Sequence, residues 1–128
     1  MMSGEECYQG VYTALTKGYQ AIDTAEGYNN EETVGEAVRR AAQEGIQDIQ
    51  ITTKLWPGRL AWGQPAKTYD KVLESGRASL KALRVKVIDV YLIHTPFAFE
   101  EGNDTGVAQW RACLELKREG VCREVGVR

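Results

Sequence analysis

Four times along the chain, a stretch with apolar residues at helical spacing is followed by a shorter and more continuously apolar stretch. That alternation limits the fold more than any other feature. Residues 5–17 place Cys7, Val11, Ala14 and Leu15 on one helical side, with Gly18 placed to end the helix. Residues 19–24 then read as a strand. Asn29 or Asn30 is suited to cap a second helix, and Glu31 and Glu32 suit the positive end of its dipole. Its apolar stripe is Val34, Ala37, Val38 and Ala41, and Gly45 stops it. Residues 49–55 form the second expected strand. Residues 56–67 carry Pro57, Gly58, Gly63 and Pro65 and read as a loop. A third helix over 68–83 has Val72, Leu73, Gly76, Leu80 and Leu83 on one side. Residues 87–94 give the most apolar strand. A loop over 95–104 leads to a fourth helix, with Val107, Trp110 and Leu114 expected inward and Gly120 at its end. Residues 122–127 form the fourth expected strand.

Helix and strand in strict alternation imply an α/β fold, a parallel sheet with crossover helices. The apolar run of 87–94 fits a strand covered by helices. Residues 1–128 read as a single domain, and no second composition or linker interrupts them. The chain stops within or just after its fourth strand. Four open parallel strands leave two bare edges, so a larger architecture is expected, and those edges suit pairing with a second copy.

Composition removes several classes of function. The net charge of −2 offers no basic footprint for nucleic acid or an anionic membrane. No apolar run approaches the roughly 20 residues of a spanning helix. Three cysteines at irregular spacing do not make a disulfide framework, and one histidine makes a zinc site unexpected. With no apolar leader at the N-terminus, a cytoplasmic setting is the expectation.

Three strands end in a chemically capable residue: Asp23, Lys54 and His94. Alone, each has an ordinary reading. Asp23 suits a turn or a cap, Lys54 a surface lysine, and His94 a bond to a loop carbonyl. Tyr28, five residues after Asp23, suits loop packing. Parallel strands bring these ends to one face, and on a (β/α)₈ barrel that face carries the active site. Together the four groups make a proton donor. A phenol is a weak acid, and a neighbouring ammonium favours its ionised form. Lys54 would supply the charge, Asp23 would hold Lys54, and His94 would orient a carbonyl oxygen. Such a site protonates an oxygen on which negative charge develops, and reduction there needs a hydride from a cofactor.

These residues resemble the aldo-keto reductase family. GYQAIDTAEGYNNEETVGEAV is similar to its first signature, ITTKLW to its lysine strand, DVYLIHTP to its histidine strand and REVGV to the start of its next strand. The resemblance covers nearly the whole chain and corresponds to roughly strands two to five of an eight-stranded TIM barrel, a truncated member. It implies reduction of aldehydes or ketones to alcohols by NADPH, less often NADH. It casts Tyr28 as general acid, Lys54 as its charged partner, Asp23 as partner of the lysine and a contact of the cofactor, and His94 as the group that orients the carbonyl. Trp56 stands where the family places an aromatic substrate wall, or else packs on the barrel rim. Arg128 stands where the family has a serine that meets the nicotinamide amide, and the rest of the family's cofactor site has no counterpart here.

Two other readings stay open at this level. The chain could instead be a catalytically inactive fragment, or a regulatory or binding module of the same family. On the same barrel, Lys54 could also form a Schiff base.

Overall fold

The computed structural model describes residues 4–128. Nine regular elements follow one another: α1 (Gly4–Thr16), β1 (Ala21–Asp23), α2 (Glu31–Gln43), β2 (Gln50–Leu55), α3 (Tyr69–Leu83), β3 (Ile88–Ile93), α4 (Phe97–Glu101), α5 (Asn103–Glu119) and β4 (Cys122–Val127). Two single 3₁₀ turns, Glu26–Tyr28 and Leu60–Trp62, sit in the loops.

The strands form one parallel sheet in the order β1-β2-β3-β4. A doubly wound sheet reverses its order at a switch point. This one does not, so it is an arc of consecutive (β/α)₈ units. Register assigns the two faces. Asp23 lies beside Thr52, Thr52 beside Val90 and Val90 beside Glu124, while Lys54 lies beside Leu92 and Leu92 beside Gly126. These residues share the face turned away from the helices. The other face carries Ile51, Leu55, Tyr91 and Ile93, all buried under the helices.

Helix α2 docks as its apolar spacing requires. Val34, Ala37, Val38 and Ala41 of α2 are all buried. Gly35 lies against the backbone of Leu83 at the end of α3, where a β-carbon would clash with the Leu83 carbonyl. Thr68 caps α3, its hydroxyl accepting from the Lys71 amide at 3.4 Å. The same helix ends on Arg84 in the left-handed conformation (φ 53°), without the glycine that ends α5.

Four expectations need correction. Asn30 stands at the start of α2, but its side chain makes no cap bond and instead accepts from the Thr24 hydroxyl and donates to Cys7 Sγ. The first strand is shorter than 19–24, with only Ala21–Asp23 in the ladder. The segment 95–104 is not all loop. Phe97–Glu101 forms a short helix between Pro96 and Gly102, and Asn103 begins the next. The buried side of α5 is also rotated by about one residue. Gly106, Gln109, Ala112, Cys113 and Leu116 face inward, while Val107 and Leu114 are 38% and 43% exposed and Trp110 is half-buried. The cause is polar. Gln109 Nε2 turns inward to donate to the carbonyls of Pro57 and Lys67 at 2.9 and 3.1 Å, and Gly106 lies against the Phe99 ring.

Candidate active site

Asp23 ends β1, Lys54 is the penultimate residue of β2, and His94 directly follows β3. Parallel pairing carries all three to one end of the sheet. The turn after β1 returns Tyr28 over them. Its amide donates to the Ala25 carbonyl at 3.1 Å, and Asn29 closes the turn in the left-handed conformation.

Lys54 is 2% exposed although it is a lysine. Its ammonium is bonded to the Asp23 carboxylate and donates to the Thr24 carbonyl at 3.1 Å. A buried ammonium keeps its charge only with partners of this kind. The same nitrogen lies 5.3 Å from the centre of the Tyr28 ring. The imidazole of His94 stands edge-on to Tyr28, with ring centres 5.8 Å apart, and edge-on to Trp56 at 5.9 Å. Its Nδ1 is buried without a protein partner. Burial first, then the charges of Lys54 and Arg128, hold the imidazole below its ordinary range, against an opposing pull from Asp23. These effects favour the neutral imidazole.

Gly27, Tyr28, Trp56, Gln64 and His94 line a cavity of about 410 Å³. So the structure gathers Asp23, Tyr28, Lys54 and His94 at one corner, with Trp56 as a wall beside them. Trp56 is also joined to groups that the sequence does not single out. Trp62 stacks on it at 5.8 Å, Phe97 meets it edge-on at 5.9 Å, and Gln64 Oε1 accepts from its indole at 2.9 Å. Trp62 is 60% exposed. The available signal was an aromatic residue six positions after Trp56 in a loop rich in proline and glycine, where burial in the core does not account for it. Glu26 and Lys67, which brace the same loop, read in the sequence only as scattered charges.

The ammonium, the phenol and the imidazole are groups of the kind that the proton side of a hydride reduction needs. None of the five cavity-lining residues is a lysine or an arginine, so they offer no fixed counter-charge for cofactor phosphates. Among the described residues, no group of three or more His, Cys, Asp or Glu side chains could hold a metal ion, and no helix is long and apolar enough to cross a membrane.

A model of the aldo/keto reductase family matches residues 1–128. The chain is 39% identical over 120 residues to methylglyoxal reductase DkgB of Salmonella typhi, covering 91% of this chain and 40% of that protein. It is 36% identical over 125 residues to methylglyoxal reductase DkgA of Escherichia coli K12, covering 98% and 41%. Among solved structures, it is similar to the Bombyx mori aldo-keto reductase AKR2E4 in complex with NADP, with TM-score 0.82, 32% identity and coverage of 98% of this chain and 41% of that one. An aldo/keto reductase from Brucella melitensis also gives TM-score 0.82, at 38% identity and coverage of 98% and 44%. The chain thus spans about 40% of the length of the curated relatives it matches. The family model covers the whole chain and both the relatives and the solved structures agree with it, so the chain belongs to the aldo/keto reductase family.

Proposed function

We propose that this corner reduces the carbonyl group of a small aldehyde or ketone to an alcohol, with hydride from NADPH. The carrying observation is the ammonium of Lys54, buried between Asp23 and the Thr24 carbonyl and facing the Tyr28 ring at 5.3 Å.

The roles follow from the chemistry of each group. Tyr28 donates its phenolic proton to the carbonyl oxygen as negative charge builds there. Lys54 stabilises the phenolate left behind, and in a buried site its charge acts more strongly than it would in water. Asp23 keeps Lys54 charged and in place, and is the residue of this chain that meets the nicotinamide end of the cofactor. His94, favoured in its neutral form, orients the substrate oxygen by a hydrogen bond. Trp56 excludes water and provides an apolar wall. The cofactor, when bound, supplies the hydride.

The relatives support the same class of reaction, two of them being named methylglyoxal reductases and one being solved with NADP. The test is NADPH oxidation by the purified chain with an aromatic aldehyde, beside a Tyr28→Phe variant. Turnover that falls by about 10²-fold or more in the variant is expected, the scale of a lost general acid. Equal turnover in the two would reject Tyr28 as the acid.

A further inference from the structure

The segment 56–67 lacks regular structure apart from its one 3₁₀ turn, yet it is tied down at its base from three directions. The Lys67 amide donates to the Pro57 carbonyl at 2.9 Å, closing the loop on itself. From α5, Gln109 donates to the carbonyls of Pro57 and Lys67. From α4, Glu101 accepts from the Ala66 amide at 2.8 Å. The third tie comes from the turn that carries Tyr28. Glu26, two residues before Tyr28, accepts from the Trp56 amide at 2.8 Å and pairs with the Lys67 ammonium through the same oxygen. Both partners of that ion pair are largely shielded, with side chains 28% and 23% exposed.

One carboxylate therefore joins the element bearing Tyr28 to both ends of the loop bearing Trp56. Four of the five residues lining the cavity come from these two elements, Gly27 and Tyr28 from one and Trp56 and Gln64 from the other, and His94 is the fifth. We propose that Glu26, with Lys67, is a positioning residue: it sets the Trp56 wall against Tyr28 and so fixes the fit of the carbonyl substrate. This rests on the carbonyl reading of the cavity.

The experiment has one arm that needs neither substrate nor cofactor. Amide hydrogen exchange is followed by NMR in the wild-type chain, Glu26→Ala, Glu26→Gln and Lys67→Met. Exchange at the Trp56 amide is expected to be about tenfold faster or more in Glu26→Ala, with Ile93 in the central strand unchanged. Glu26→Gln keeps an acceptor for that amide and is expected to restore most of the protection. Unchanged exchange at Trp56 in Glu26→Ala overturns the brace. Should Glu26→Ala also lose protection at Ile93, Lys67→Met decides: about threefold faster exchange at Trp56 supports the brace, and no change overturns it.

The second arm is quenching of tryptophan fluorescence by benzaldehyde. Half-saturation is expected at about tenfold higher aldehyde in Glu26→Ala and near the wild-type value in Glu26→Gln, equivalent to one factor of ten in affinity. Equal binding by wild type and Glu26→Ala, despite faster exchange, overturns the positioning role. A wild-type chain that shows the expected exchange but takes no aldehyde overturns the carbonyl reading instead.

Discussion

Lys54 and Asp23 stand on adjacent parallel strands, and their ion pair joins a side chain that is almost wholly buried to one that is 64% exposed. The asymmetry decides what each substitution does. Asp23→Asn leaves the Lys54 ammonium buried with a weaker partner. The loss of stability is expected to be about 1–2 kcal/mol, less than for a fully buried pair because water already reaches the carboxylate. Lys54→Met removes the buried charge altogether. It is expected to cost little stability and to lower carbonyl reduction by at least about 100-fold. Urea unfolding together with steady-state rates separates the two outcomes.

His94 is the one histidine of the chain, so its ring protons titrate without overlap. The NMR midpoint in the folded protein is expected below the ordinary histidine value, because burial and the charges of Lys54 and Arg128 oppose protonation. The unfolded chain keeps the ordinary value and binds the proton more readily. The contribution of this residue to stability is thus complete above the unfolded value and falls as the pH drops through the lowered folded one. Lys54→Met is expected to move the midpoint upward. A midpoint that does not move would mean that burial and Arg128 account for it without Lys54.

Tyr91 fills the space between the sheet and the helices, and its hydroxyl has no protein partner there. Burial pushes the phenol well above its usual range. A buried hydroxyl without a partner is a cost, so Tyr91→Phe is expected to stabilise the fold by about 1 kcal/mol. The urea midpoint measures it, and a clear loss of stability would reveal a partner for the hydroxyl.

The thiols of Cys7, Cys113 and Cys122 are all free and buried. Burial raises Cys7, pushes Cys113 up to about 12 and raises Cys122 to about 11. Only the thiolate reacts quickly. A disulfide reagent at pH 8 is expected to label the native chain at least about 100-fold more slowly than the chain in urea. Fast labelling of the native chain would show local opening beneath α1 or α5.

Much of this architecture is legible in the sequence, because apolar period alone separates strand 88–93 from helices 31–43 and 69–83. The strand-end trio is legible too, since a parallel sheet leaves Asp23, Lys54 and His94 only one end to share. What escapes is decided by single polar contacts. Gln109 looks like a surface residue, yet its two bonds to loop carbonyls set the rotation of α5. Arg84 carries no sign of a helix stop, yet it takes the left-handed conformation there, its amide bonded to the carbonyls of Leu80 and Lys81. Phe97–Glu101 is too short for any period to announce it. Glu26 is one of 18 acidic residues, and only the tertiary fold brings its carboxylate to Trp56.

The base of the 56–67 loop is held by Glu26, Glu101 and Gln109, while its tip, with Leu60 and Trp62, stands in solvent. Such a loop can drift at its crest over evolutionary time without disturbing its footing. On the proposed function, the corner and the surface that selects what reaches it are then free to change separately. New substrates would be sampled by exchanging residues 60–64, with the chemistry beneath them left intact.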